Sequence, residues 1–295
     1  MSEYHTPVLL QERVSALAIK PGGVYVDATF GGGGHSRAIL GQLSAKGRLL
    51  AIDQDSDALA NAPEDGRLIT VRSNFRFVHN WIRFHGFEKV DGILADLGVS
   101  SHQFDTEERG FSFRFDSGLD MRMSDAATVT AQEVVNNYTE GELERILREY
   151  GEVTGSRFAA KLICEARSKS PIRTTAELNA ALEKMTPQLA PHKFLAKVYQ
   201  ALRIEVNDEM TALERFVPMA VKSLAEGGIL AVITYHSLED RIVKNAIRDA
   251  IGQGLMEKVS AKPIVPSESE IAGNTRARSA KLRVAKRTGM EFSRL

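Results

Sequence analysis

The stretch "GVYVDATFGGGGHSRAIL" (residues 23–40) passes from a β-branched run through four consecutive glycines into helical spacing. Strand, bare turn and helix in that order open a sheet that is covered by helices. Glycines after a strand let the backbone approach a ligand closely. Three readings of the turn compete: a nucleotide phosphate, the methionine end of an S-adenosyl donor, or a plain surface turn. No G-K-[ST] follows the glycines, so nothing is in place to hold a triphosphate and its magnesium. Asp27, four residues before Gly31, offers a carboxylate to the amino group of a methionine moiety. Asp53 closes the next apolar run about 20 residues after the glycines, where ribose hydroxyls need an acceptor. A dinucleotide and an S-adenosyl donor both satisfy that last point.

Working outward, "GRLLAID" (47–53), "RLITVRSN" (67–74) and "VDGILADLGVSS" (90–101) are further apolar runs, separated by helix-length connections. Such near-continuous runs imply a parallel sheet buried on both faces, with ligands at the carboxyl ends of its strands. Asp27, Asp53 and Asp96 all fall at those ends. The pattern then changes. Residues 105–123 read as a loop rich in Gly, Phe, Arg and Asp, and residues 130–205 are helical in period throughout. Thr139 with Glu142, and Thr174 with Glu177, have capping-box spacing. A helix over 206–225 and the strand "GGILAVITY" (227–235) resume the sheet pattern. Two strand-like runs, 255–265 and 279–288, close the chain as an antiparallel pair. That ending favours the methyltransferase version of the α/β sandwich over a nicotinamide-dependent oxidoreductase, which would continue with parallel units. The expected organisation is an α/β methyltransferase domain, 1–104 and 206–295, with an all-α substrate-recognition domain inserted over 105–205.

Composition excludes several classes. The chain is 43% hydrophobic and 26% charged, with Lys+Arg and Asp+Glu both at 38, so no bulk charge announces a nucleic-acid partner. The charge is uneven, however: residues 273–295 carry seven cations against one anion, Glu291, and such a patch attracts phosphates. The single cysteine, Cys164, permits neither an intrachain disulfide nor a cysteine-based zinc site, and no metal is expected. No signal peptide and no run of about 18 apolar residues is visible, which points to a cytoplasmic protein without membrane contact.

Eight blocks in order carry a resemblance: "HTPVLLQE" (5–12), "DATFGGGGHS" (27–36), "AIDQDSDAL" (51–59), "DGILADLGVSSHQFD" (91–105), "ERGFSFRFDSGLDMRM" (108–123), "YQALRIEVNDE" (199–209), "YHSLEDRIVK" (235–244) and "TRARSAKLRVAKR" (275–287). Together they resemble the bacterial small-subunit ribosomal RNA methyltransferase H family, which methylates N4 of a cytidine in the decoding centre of 16S rRNA. The resemblance implies a class I S-adenosylmethionine-dependent fold with an inserted helical domain. It places donor contacts on Gly33, Gly34, His35, Asp53, Phe75, Asp96 and Gln103; spacing alone does not single out Gln103. Two departures stand out. "APHKFLAKVYQALRIEVNDE" (190–209), around His192, lacks the His-Pro-Ala-Thr-Arg run of many members, and Tyr235 stands where Phe is common.

Methyl transfer to cytosine N4 needs a group that accepts an amine proton, because the nitrogen lone pair is conjugated into the ring. Related amine methyltransferases carry an Asn/Asp/Ser-Pro-Pro-aromatic loop after the fourth strand; here the position reads "DLGVSS". Asp96, Ser100, Asp120 and His236 are the candidates, with a structural, hydrogen-bonded role the competing reading for His236. The target base must be unstacked. Phe111, Phe113 and Phe115 are candidates to stack on it, and Arg109, Arg114, Arg122, Arg276 and Arg278 to contact RNA, unless the phenylalanines serve to pack the inserted domain. The expected partner is 16S rRNA, within the small subunit or naked. A homodimer is one option for the oligomeric state. A ribosome-assembly factor that binds the donor without transferring methyl is the alternative function.

Overall fold

The computed structural model describes residues 7–291. The first two residues of the "HTPVLLQE" block and Arg294 of the basic tail lie outside the described residues. The chain forms two compact units, Met1–Gly98 with Met210–Leu295, and Val99–Glu209.

The first unit is built on a seven-stranded sheet: β1 Val24–Asp27, β2 Arg48–Asp53, β3 Leu68–Arg72, β4 Val90–Asp96, β5 Leu224–Thr234, β6 Met256–Lys258 and β7 Lys281–Arg287. The strand order is β3-β2-β1-β4-β5-β7-β6. β1 to β5 pair in parallel, and β7 runs antiparallel to both β5 and β6. This is the class I S-adenosylmethionine-dependent methyltransferase arrangement. Both faces are buried, as the apolar runs require. Val26, Leu50 and Ile93 face a core completed by Leu213, Phe216 and Val243, while Tyr25, Leu49 and Leu94 face a second core with Ile39 and Leu40. Alternate residues of one strand therefore enter different cores, which fixes the register. Two helices position the site: α1 Leu10–Ala16 and α2 Gly34–Leu40.

Two boundaries differ from expectation. The run 255–265 is not one strand: β6 stops at Lys258, and pairing returns only as the single bridge Ile264–Leu282. Pro263 has no N–H for a ladder, and Ser260 Oγ donates to the Lys262 carbonyl in a local turn. The helix expected over 206–225 is split, because Asp208 takes a left-handed conformation (φ 49°) between the helices Pro191–Asn207 and Glu209–Ser223.

The second unit is helical. Ser100/Gln103, Thr130/Glu133, Thr139/Glu142 and Thr174/Glu177 all form reciprocal capping boxes. Leu143, Ile146, Leu147, Ala159, Ile163, Val198 and Leu202 fill the core. The "YQALRIEVNDE" block works as a latch. Tyr199 OH donates to the Thr175 carbonyl (3.3 Å), and Gln200 Nε2 to the Tyr150 carbonyl (2.8 Å). Arg203 forks onto Glu209, and Asn207 Nδ2 donates to the Met121 carbonyl (2.8 Å) while its Oδ1 accepts from Met123 N–H (2.7 Å). The loop before the helices is thereby pinned to the longest helix of the unit. Gly110 is required in that loop: φ is 68°, and a Cβ there would stand 2.2 Å from the Gly118 carbonyl oxygen.

Candidate active site

The glycine turn joins β1 to α2. Gly31 and Gly33 have positive φ, and Gly33 is the left-handed residue that starts the helix. A Cβ on Gly33 would lie 2.6 Å from the Phe30 ring, and one on Gly34 2.3 Å from Pro7. Gly33 and Gly34 are bare because Phe30 and the distant Pro7 press on them, a constraint additional to any ligand.

Asp27, at the end of β1, is wholly buried. Its carboxylate accepts from Ser36 Oγ (2.7 Å) and from Thr29 N–H (3.3 Å). Burial pushes its pKa up to about 7, with those two donors opposing the shift. Asp53, at the end of β2, accepts from Gly31 N–H (2.8 Å) and Asp55 N–H (2.9 Å), so it ties the glycine turn to the next strand. Burial raises its pKa as well, against those same N–H groups. Asp55 caps the following short helix, which leaves Asp53 free of that task. Phe75 sits half-buried after β3 and packs edge-on to Phe216 with ring centroids 5.2 Å apart.

Asp96, at the end of β4, is the centre of a network. Arg13 Nη1 lies 2.9 Å from Oδ2, Arg13 Nη2 lies 3.4 Å from Oδ1, and Tyr235 OH donates to Oδ1 at 2.9 Å. The Asp96 N–H donates to Thr29 Oγ1 (2.6 Å). Arg13 Nη1 also reaches His35 Nε2 at 2.6 Å. Burial and the neighbouring guanidinium hold the His35 pKa down to about 3, so the ring is neutral and accepts from Arg13. Burial, together with the Asp96 charge, pushes the Tyr235 hydroxyl well above its ordinary value, and it stays a donor. A carboxylate that ends an apolar strand needs partners, and here protein groups supply them. Neither Arg13 nor Tyr235 was a candidate from sequence. A signal for Arg13 exists: it falls between Leu9 and Leu17 at i+4 spacing, and all three are buried.

The remaining candidates are held locally. His236 caps the helix Ser237–Gly252, its side chain accepting from Glu239 N–H, so the structural reading describes it. Ser100 and Gln103 form the capping box of Ser101–Asp105 in the helical unit, and Gln103 is buried there. Asp120 takes a two-pronged pair from Arg122 (2.8 Å on each oxygen). Arg109 Nη2 donates to the Arg122 carbonyl (3.0 Å), and its guanidinium lies over the Phe111 ring. Phe111 is in the helical core and Phe113 packs edge-on to Tyr199 at 5.6 Å. Stacking on a base would require Phe111 to leave that core; Phe115, 37% exposed, needs no such change. The basic tail is also less free than its sequence suggests. Lys281 and Arg283 pair with Asp240, Lys286 pairs with Glu257, and Arg287 is buried against backbone carbonyls. Arg276 and Arg278 are exposed.

The donor set suits an S-adenosyl donor. Asp53 ends β2 beside the glycine turn, with Oδ2 accepting from Gly31 N–H and Oδ1 from Asp55 N–H, a placement that suits vicinal hydroxyls. The half-buried Phe75 offers an apolar wall.

Comparison with known proteins places these features in a family. The model of the MraW methylase family matches residues 2–288. The ribosomal RNA small subunit methyltransferase H of Flavobacterium johnsoniae is 52% identical, covering 97% of this chain and 98% of that protein. The protein of the same name from Bacteroides fragilis (strain YCH46) is 52% identical over 96% and 97% of the two chains. Among solved structures, an rRNA methylase from Streptococcus thermophilus aligns with a TM-score of 0.42 at 12% identity, covering 95% of each chain.

Proposed function

This chain belongs to the MraW methylase family, and on that premise we propose that it methylates the N4 amine of a cytidine in the decoding centre of 16S rRNA. The reaction takes place in the cytoplasm, with the small subunit or its rRNA as substrate. The observation that carries the reading is the set of strand-end carboxylates Asp27, Asp53 and Asp96 around the glycine turn of a methyltransferase sheet. When bound, S-adenosylmethionine supplies an electrophilic methyl group on a sulfonium. The chain has to position the acceptor in line with it and exclude water.

Asp27 and the Gly33–His35 turn bind the methionine end, Asp53 the ribose and Phe75 the adenine. Asp96 takes the hydrogen bond from the acceptor amine: it ends β4, and it keeps 23% of its side chain open, whereas Ser100 and His236 cap helices and Asp120 is paired with Arg122. A positioned acceptor of this kind contributes about 10²–10⁴-fold to rate. RNA contacts come from the exposed Arg114 and Phe115 of the helical unit and, separately, from the exposed Arg276 and Arg278 of the sheet unit. Arg109, Phe111, Phe113 and Arg122, whose contacts hold the loop that carries Arg114 and Phe115, serve RNA binding in this proposal. The test is labelled-donor transfer to small subunits from a strain lacking the protein, followed by nucleoside identification. N4-methylated cytidine is expected. Donor binding with no methylated nucleoside would replace the enzyme with an assembly factor, and a methylated nucleoside of another kind would move the acceptor atom.

A further inference from the structure

Asp96 is gripped by two groups to which the reaction as proposed gives no task. Arg13 is wholly buried while Asp96 remains 23% exposed, so whatever meets this pair meets the carboxylate and not the guanidinium. A guanidinium without water is tolerated only beside its counter-charge, and removing one partner of such a pair is costly. The same Nη1 that meets Asp96 Oδ2 also donates to His35 Nε2 at 2.6 Å, which helps to aim the guanidinium. On Asp96, Oδ1 accepts from Tyr235 OH at 2.9 Å and meets Arg13 Nη2 at 3.4 Å. Oδ2 has a single close partner among the described residues, Arg13 Nη1 at 2.9 Å. A carboxylate oxygen has two lone-pair sites, so Oδ2 keeps one unfilled.

We propose that Arg13 and Tyr235 are positioning residues for methyl transfer: they fix the Asp96 carboxylate so that the spare lone pair of Oδ2 takes the hydrogen bond of the acceptor amine. The inference rests on the proposed function. In the transfer, the nitrogen–methyl bond forms as the methyl–sulfur bond breaks. The sulfonium becomes a neutral thioether, and the surplus amine proton leaves through Asp96 to water. Neither Arg13 nor Tyr235 touches the reacting atoms. Their contribution is orientation, with the Tyr235 hydroxyl adding a donor that a phenylalanine at this position would lack.

The experiment is single-turnover methylation of small subunits at saturating donor and RNA, with donor affinity measured separately by calorimetry. Tyr235→Phe keeps the ring and loses one hydrogen bond to a charged group; the rate is expected to fall about fivefold. Arg13→Lys is expected to lose about tenfold and Arg13→Met more, because a lysine keeps the charge without the fork. Donor Kd stays within about twofold in Tyr235→Phe; Arg13→Lys and Arg13→Met also alter the contact to His35 of the donor turn, so their rates are compared at saturating donor. In an Asp96→Asn background, Tyr235→Phe and Arg13→Lys are expected to cause no further loss, since both act through that carboxylate. Unchanged rates in Tyr235→Phe and Arg13→Lys, or an undiminished loss in the Asp96→Asn background, would overturn the inference. If the Arg13 variants do not fold, Tyr235→Phe alone and combined with Asp96→Asn decides the matter. A wild-type chain that transfers no methyl group to RNA would instead remove the proposed function, and this inference with it.

Discussion

The two units treat charge in opposite ways. In the sheet unit, Asp27, Arg13 and His35 are buried at or beside the strand ends. In the helical unit, carboxylates and guanidinia pair near the surface or cap helices, and the interior is apolar. Burying charge costs stability unless every group is partnered. A fold that gathers several such groups at one pole of its sheet holds them there against that cost, and this is where a ligand site belongs. The helical unit has no comparable cluster among the described residues buried as deeply.

The largest expected effect separates the units through their glycines. Gly110→Ala puts a Cβ into the Gly118 carbonyl at positive φ, and should destabilise the helical unit by about 3 kcal/mol or more, seen as an earlier denaturation transition. Gly33→Ala, also at positive φ and against the Phe30 ring, should instead weaken donor binding in calorimetry. If both variants lose donor affinity equally, the contrast between the units fails.

Asp27 gives the next largest effect, with the opposite sign. Its folded pKa of about 7 lies above the ordinary carboxyl value of 3.8, so the folded state retains a proton that the unfolded state releases. Stability from this group is therefore full at low pH and lost as pH rises from about 4 towards 7. Asp27→Asn should raise stability at pH 8 by about 1–3 kcal/mol relative to its effect at pH 4, while weakening donor binding. His35 runs the other way. Its folded pKa of about 3 lies below the ordinary imidazole value of 6.5, so its contribution is full above about 6.5 and is lost as pH falls towards 3. Between about 4 and 6.5 the two slopes oppose each other, and thermal melts of Asp27→Asn across that window should expose the His35 slope alone. A flat wild-type profile that stays flat in the variant would show that neither group behaves as buried.

Phe115→Ala sharpens the contrast at the small end. The ring is 37% exposed, so stability should change by less than about 0.5 kcal/mol, while KM for RNA rises several-fold. A KM that does not move would take Phe115 off the RNA-facing surface.

Much of the sheet unit was legible because burial on both faces leaves continuous apolar runs, and each of β1, β2 and β4 ends at the aspartate expected. The helical boxes at Thr139 and Thr174 were legible because capping is local, a matter of residues three apart. The loop "ERGFSFRFDSGLDMRM" was harder. Aromatic and arginine content is shared by RNA-binding loops and by packed ones, and only the contacts of Phe111, Phe113 and Arg109 tell them apart. The tail shows the same limit: its cations add up along the chain, but Asp240 and Glu257 come from elsewhere to pair with Lys281, Arg283 and Lys286, while Arg276 and Arg278 stay exposed.

The sequence by itself determined the α/β class, the closing antiparallel pair, the glycine turn and the three strand-end carboxylates, since each is written in residues close together in the chain. Tertiary structure decided who grips those carboxylates. Arg13 reaches Asp96 across 83 residues and Tyr235 reaches it across 139, and hydrophobic periodicity assigns Arg13 only to a buried face, not to a partner. Long-range polar pairing depends on where the sheet brings strand ends together, and no local pattern encodes that distance.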